Sequence, residues 1–422
     1  LNPARLTAYG LLGAPLAAAA LPIYVHIPKL YADDFGVPLA LLGIVLFLAR
    51  LLDAVVDPLI GAASDRARGR RGLVLAGLVP LAIGLLAMVR PAADIDPLVW
   101  LIGALVLVYA GYSLSSINYS AWGAELSATP ALGTRLVATR EGCALVGVVA
   151  ASIAPGLLAD DAAQGLWQAV LYWLPLLLGC AMITLLAVPE AVRVQPILQV
   201  PLRTVLGDVL GDPRFRRLLA IFALNGIASA IPATLVLFFI SDVLGAGDRE
   251  GLFLALYFVA GVIALPLWTW LADRHGRARS WAASMVLAIS VFGWAFTLGP
   301  GDEVEFMLIC AASGIALGAD LALPAALLAG LLARGERPLS AGGSFGVWNF
   351  VTKMNLALAA GLALPLLSML GYRPGADDAD ARLALSAVYG LLPLLLKAGA
   401  CLLLWRHADW LEPDIDNEGE KR

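Results

Sequence analysis

Charge is scarce in this sequence: only 14% of its 422 residues are Asp, Glu, Lys or Arg. Soluble domains carry about 25%, so this chain has too little polar surface to face water on all sides. The net charge is −4, and no basic stripe with interleaved aromatics occurs, which excludes a nucleic-acid partner. Lysine is nearly missing, with 24 arginines to 4 lysines, a bias expected of a GC-rich bacterial genome. Three histidines, His26, His275 and His407, form no cluster. The four cysteines, Cys143, Cys180, Cys310 and Cys401, are far apart inside apolar runs. That excludes metal-ligand spacing and a disulfide framework, and leaves buried thiols. With no zinc spacing, nucleophile elbow or nucleotide-binding loop, the chain reads as a non-enzyme with no cofactor, and any driving force is an ion gradient rather than ATP. The first apolar run is long and lacks a small-residue cleavage site, so it reads as a span rather than a signal peptide.

What the chain has is apolar length. Hydrophobic residues make up 60% and the mean hydropathy is +0.85. About 20 apolar residues are needed to cross roughly 30 Å of hydrocarbon. Windows of that length fall near 6–27, 38–63, 73–91, 98–125, 136–158 and 166–188. Six more fall near 217–241, 251–271, 281–298, 306–333, 342–369 and 383–405. The expected class is an all-α membrane protein of twelve transmembrane helices. Basic residues crowd the even-numbered connections: Arg66, Arg68, Arg70 and Arg71, then Arg135, Arg193, Arg203, Arg214, Arg216 and Arg217, then Arg274, Arg277, Arg279, Arg334 and Arg337. The other side holds only Lys29, Arg90, Arg249, Arg373 and Arg382, with acids such as Asp33, Asp34, Asp160 and Asp161. The positive-inside rule then puts both termini in the cytoplasm. The expected organisation is a six-helix half over 1–190, a cytoplasmic linker over 191–214, and a second six-helix half over 215–422 with a charged cytoplasmic tail.

An internal repeat supports two halves. Pro58, Asp65 and Arg66 recur with the same spacing 208 residues later as Pro266, Asp273 and Arg274. Each copy ends the second helix of its half, as parallel repeats around a central axis would. The first copy reads Gly61-Ala-Ala-Ser-Asp65-Arg66-Ala-Arg68-Gly69-Arg70-Arg71. Its aspartate can pair with nearby arginines and cap a neighbouring helix end. The alternative is a basic loop that only fixes topology.

Inside the second span, Asp53 and Asp57 are four residues apart, which places them on one helix face with about 6 Å between β-carbons. Arg50 lies one turn earlier. An acid at mid-membrane costs about 2.5–3.5 kcal/mol, so a pair on one helix needs a reason. One arginine can neutralise one carboxylate and leave the other to attract sodium or a proton. A structural ion-pair network between helices is the alternative.

The G-x-x-x-D-R-x-x-x-R-R loop resembles that of major facilitators, and its residues Gly61, Asp65, Arg66, Arg70 and Arg71, with Asp273 and Arg274, imply a gating loop. The A-R-x-x-D-x-x-x-D-P-x-x-G run over residues 49–61 resembles the second helix of the glycoside–pentoside–hexuronide:cation symporters, the family of melibiose permease. The likeness continues through residues 112–122, Arg140 and residues 348–353. It implies the major facilitator fold and a cation site at Asp53, Asp57 and Asn118. It also implies solute-binding or coupling roles for Arg50, Trp122, Arg140 and Lys353. Two family acids are missing: the helix-one aspartate falls on Ala17, and the helix-four aspartate of the cation site on Asn118.

Other polar positions are read from depth. Lys353 is mid-span, near Asn349 and Asn355, and a buried lysine must find a carboxylate or lose its proton. A partner at Asp53 or Asp57 would join the halves; a static ion pair is the alternative. Asp320 is a further candidate in the tenth span, whereas Lys397 in the last span reads as peripheral or snorkelling. Arg140 and Glu141 are adjacent and are expected to face differently. Asn225 and Trp348 fit a cavity lining or a helix contact equally.

The expected function is secondary active transport by alternating access, with sodium or a proton as coupling ion and a solute site near the midplane between the halves. The resemblance implies a sugar or glycoside-like solute. Sparse cavity polarity admits an amphipathic one such as a lysolipid, and a non-transporting assembly factor or sensor is a third reading. The expected setting is the bacterial inner membrane, with a small-molecule solute, lipid around a monomer, and no nucleic acid. The arginine asymmetry generates a test. In a cysteine-free background, a cysteine at Ala67 is expected to react with impermeant maleimide only from the cytoplasmic side, and one at Ala376 only from outside; reversed labelling would overturn the orientation.

Overall fold

The computed structural model describes residues 2–67, 69–92, 94–127, 129–159, 161–190, 202–334, 340–372 and 378–412, and every regular element among them is helical. A short α1 (Pro3–Leu11) runs across Leu12 into α2 (Gly13–Asp33). Then come α3 (Leu39–Ser64), α4 (Arg70–Val89), α5 (Pro97–Leu126), α6 (Pro130–Leu158) and α7 (Ala162–Ala187). After α8 (Leu202–Gly211) follow α9 (Pro213–Phe238), α10 (Glu250–His275), α11 (Arg277–Ala295), α12 (Glu303–Arg334) and α13 (Ala341–Met369). The chain ends with α14 (Ala379–Ser386) and α15 (Leu392–Leu411), joined by a π turn at Ala387–Leu391.

Among the described residues, nine helical segments are long and apolar enough to cross a membrane. With α2, α3 and α11 the membrane-length segments number twelve, in the order that hydropathy predicts. The α3 helix carries Arg50, Asp53 and Asp57 along an otherwise apolar length. Its outer stripe, Ile44, Phe47, Leu48, Leu52, Val55 and Leu59, is exposed while the acids are buried. An apolar stripe outside and acids inside is the distribution that lipid imposes. Residues 191–201 of the expected linker and the charged tail at 413–422 lie outside the described residues.

Helix starts are set by local chemistry. Asp96, Thr129, Asp161 and Asp212 each accept backbone N–H groups of the first turn that follows, and prolines 97, 130 and 213 occupy the first helical position. Such caps satisfy donors that no earlier turn can reach.

Contacts divide the chain into two compact units. One comprises Leu1–Leu210 with Leu332–Phe350, the other Gly211–Leu331 with Val351–Arg422. In the first, α4 lies along α5 through Gly77, Gly84 and Gly111, whose missing β-carbons leave room for backbone contact. Close approach at small residues is how helices associate where lipid is as apolar as leucine. The first turns of α13 belong to this unit because Gly61 meets Gly342, and Gly346 lies against the Asp57 carbonyl. In the second unit the core is aromatic. Phe239 stacks on Tyr389 at 4.2 Å, and Phe306 meets Phe253 edge-on at 5.0 Å.

A β-carbon at Gly111 would stand 2.5 Å from the Leu81 nitrogen, whereas one at Gly103 on the same helix meets nothing within 4 Å. Gly111→Leu is therefore expected to destabilise the purified protein by about 1–3 kcal/mol through overpacking. Gly103→Leu should melt with the wild type, as thermal unfolding monitored by fluorescence would show.

Candidate functional site

The α3 acids come first. Asp57 is fully buried and Asp53 is 9% exposed. Ser113 of α5, itself buried, donates to Asp53 Oδ1 at 2.8 Å. Arg50 is half-buried one turn before Asp53. Two carboxylates and a hydroxyl are hard oxygen donors, suited to sodium or to proton exchange. Ser113 was missed from the sequence, although the run Ser113-Leu-Ser115-Ser116-Ile-Asn118 stands out in an apolar helix.

The sequence reading grouped Asn118 with these acids; the structure spends its amide elsewhere. Its Oδ1 accepts from Arg70 at 2.9 Å, and its Nδ2 donates to Ser64 Oγ at 2.9 Å and to the Leu114 carbonyl at 2.8 Å. The reason is Arg70, which enters this space as the first residue of α4, its side chain 1% exposed. Its guanidinium donates to Glu125 Oε1 at 2.8 and 3.1 Å and to Asp65 Oδ1 at 2.5 Å. Its backbone N–H donates to Glu190 Oε1 at 2.6 Å. Asp65 also accepts from the N–H groups of Gly342 and Gly343, both at 2.9 Å, and from the Ser340 hydroxyl. A carboxylate there satisfies donors of the first turn of α13 and meets the positive end of the helix dipole. Arg71 lies 5.7 Å from the Trp122 ring and pairs with Glu190 at 3.6 Å. Arg66 is exposed.

The second unit also opens its third membrane helix with a buried arginine, but with different partners. Arg277, the first residue of α11, is 3% exposed. It donates to Glu412 Oε1 and to the Ala326 carbonyl, each at 2.6 Å, while the Ala278 N–H donates to Glu412 Oε2 at 3.0 Å. Asp273 and Arg274 are exposed at the end of α10, the guanidinium 5.8 Å from the Trp270 ring. Sequence reasoning did not find Glu125, Glu190 or Glu412. The last two share a signal, an acid just beyond the final helix of each half.

Arg140 and Glu141 do not face apart as their adjacency suggests. Arg140 donates to Glu141 Oε1 at 2.6 Å and to Ser120 Oγ at 2.6 Å. Both side chains are long enough to swing together, at 14% and 21% exposure. Trp122 is fully buried, its Nε1 donating to the Pro189 carbonyl at 3.0 Å and its ring edge-on to Tyr9 at 6.2 Å. Trp348 is buried, and Asn349 donates to Ser116 Oγ at 3.4 Å. Lys353 is half-buried on α13 and belongs to the second unit, whereas Asp53 and Asp57 belong to the first.

Lys397 corrects the sequence reading most clearly. It is 2% exposed, not peripheral. Its ammonium donates to Asn225 Oδ1 at 2.7 Å, Ser229 Oγ at 3.0 Å and Asp320 Oδ2 at 2.9 Å. Asp320 in turn accepts from Asn225, Ser229 and the Trp281 indole, at 3.1, 3.2 and 2.8 Å. Four helices, α9, α11, α12 and α15, thus converge on one ion pair. Asn225 is a member of that network rather than an isolated helix contact.

Residues 6–408 match the model of a family described as MFS/sugar transport protein. Over 114 residues the chain is 30% identical to the inner membrane symporter YicJ of Escherichia coli (strain K12), covering 26% of this chain and 25% of that protein. Over 98 residues it is 30% identical to YjmB of Bacillus subtilis (strain 168), called an uncharacterized symporter, covering 23% and 21%. The matched stretches thus span a quarter or less of those relatives. Among solved structures, a bacterial homologue of the iron transporter ferroportin in the outward-facing state superposes with a TM-score of 0.72 at 18% identity, over 97% of this chain and 100% of that one. The E. coli fucose:proton symporter FucP gives 0.70 at 14% identity, over 94% and 98%. At such identities these two establish the fold.

The ion pair in the second unit yields a stability prediction. Lys397→Met removes the cation and leaves Asp320 charged in a buried site, which is expected to cost about 3–5 kcal/mol. Adding Asp320→Asn should recover most of that loss, so the two substitutions should be strongly non-additive in thermal unfolding of the purified protein.

Proposed function

Since the chain belongs to the MFS/sugar transport family, and is therefore a membrane transport protein, we propose that it carries a sugar or glycoside-like solute together with sodium or a proton by alternating access. The buried pair Asp53 and Asp57 carries this reading. Two carboxylates one turn apart on a membrane helix are unfavourable unless a cation offsets them, and Ser113 adds a third oxygen beside Asp53. The symporter names of the relatives and the fold shared with a fucose:proton symporter support the same assignment. Residence in a bacterial inner membrane, with both termini cytoplasmic, belongs to this proposal.

Roles divide by chemistry. Asp53 and Asp57 hold the coupling ion, and Ser113 orients the Asp53 carboxylate. Arg50, one turn away, limits the net charge of the site. With Ala17 and Asn118 in place of two acids, the ion meets fewer charged ligands, so sodium binds weakly and a proton can replace it. Lys353 serves coupling or solute binding, while the Asp65–Arg70–Glu125 cluster orders the loop between α3 and α4.

Solute accumulation in vesicles under an imposed sodium or proton gradient tests the proposal. Asp53→Asn and Asp57→Asn are each expected to abolish gradient-driven accumulation while leaving some downhill exchange, because exchange need not move the cation. Lys353→Ala is expected to leave a folded protein with at least tenfold slower uptake, the loss of about 1.4 kcal/mol of transition-state stabilisation. Undiminished accumulation in both aspartate variants would sink the cation site.

A further inference from the structure

The second unit holds a cavity that the transport reading does not use. It lies among α9, α10, α11, α12 and α15 and has a volume of about 140 Å³. An engineered apolar cavity of about 150 Å³ takes up one benzene molecule, so this space suits a ring of six to eight heavy atoms.

Its walls are unlike each other. Phe253 and Phe292 contribute aromatic surface, with Ala288 between helices. The polar end is Asp320, Lys397 and Ser229. There the ammonium already donates three hydrogen bonds and the carboxylate accepts four. A charged ligand would have to break one of those bonds, whereas an uncharged hydroxyl can use the remaining lone pair of Ser229.

Two phenols line the same space. Tyr389 is 4% exposed, and Tyr257 faces the cavity from α10. Neither hydroxyl has a hydrogen-bond partner among the described residues. A hydroxyl that opens on a cavity without a protein partner leaves its hydrogen bond to whatever occupies the space. Tyr389 meets Phe292 edge-on at 6.2 Å, so hydroxyl and aromatic surface alternate around the space that Asp320 and Lys397 also line.

We propose that this cavity is a binding site for one uncharged six-membered ring bearing one or two hydroxyls, which would meet the hydroxyls of Ser229, Tyr257 and Tyr389 and the aromatic surfaces of Phe253 and Phe292. Such a ring could arrive as a small free phenol or as the aglycone of a larger glycoside. The proposal stands apart from ion coupling, since binding needs no transport.

Phenol is the probe, titrated by saturation-transfer NMR against the full-length protein in lipid nanodiscs, with empty nanodiscs subtracted. Saturable binding is expected. Ala288→Phe fills the cavity and should abolish it; Ser313→Leu, on the facing α12 wall, provides a second filled variant should the first fail to fold. Tyr257→Phe should weaken phenol about tenfold, a hydrogen bond's worth, yet leave the melting temperature of the ligand-free protein unchanged or higher. Toluene, lacking the hydroxyl, should bind more weakly and be indifferent to Tyr257→Phe. Competition by phenyl β-glucoside but not methyl β-glucoside would assign the ring to a glycoside; competition by neither would assign it to a free phenol. No saturable phenol binding to folded wild type, or binding retained in a folded filled variant, overturns the proposal. So does a drop in ligand-free stability on Tyr257→Phe, which would mean that the hydroxyl already has a partner.

Discussion

Hydrocarbon offers a buried charge no water, and that constraint organises this molecule. Every ionic side chain drawn inside must find its counter-charge or dipole within the protein. Arg70 shows the rule at its fullest: one guanidinium reaches two carboxylates and an amide, and its own backbone N–H reaches a third carboxylate. Asp65, one of those partners, also takes the first turn of α13, so a single residue ties an arginine to a helix start. Arg140 turns back on its own neighbour for the same reason.

The two units solve this problem with one device and different parts. In each, an arginine opens the third membrane helix and an acid beyond the sixth accepts a backbone N–H of that first turn: Glu190 from Arg70, Glu412 from Ala278. The guanidinium partners differ. Arg70 reaches Asp65, Glu125 and the Asn118 amide, whereas Arg277 reaches Glu412 itself and the Ala326 carbonyl. Any acceptor at hydrogen-bond distance answers a guanidinium N–H.

The helices were legible in the sequence because crossing a bilayer sets a length, and length survives without any detail of packing. Asp53 and Asp57 were legible because two acids in one apolar run have few innocent explanations. Lys397 was misread because its partner, Asp320, is 77 residues away on another helix, and hydropathy along a chain carries no record of such pairs. Asn118 was placed by position in a motif, while Arg70, which claims it, enters from the start of the next helix. Ser113 and the acids beyond each final helix went unnoticed for a related reason: short polar residues and helix-end acids are common, and only their neighbours make them particular.

The Arg277–Glu412 pair also bears on how the chain is made. Its two members are separated by 135 residues. A ribosome adding about 5–20 residues per second delivers the second roughly 7–27 s after the first. Throughout that interval neither the Arg277 guanidinium nor the Ala278 N–H has Glu412 as a partner. The pair thus forms only once the last helix of the second unit has been made.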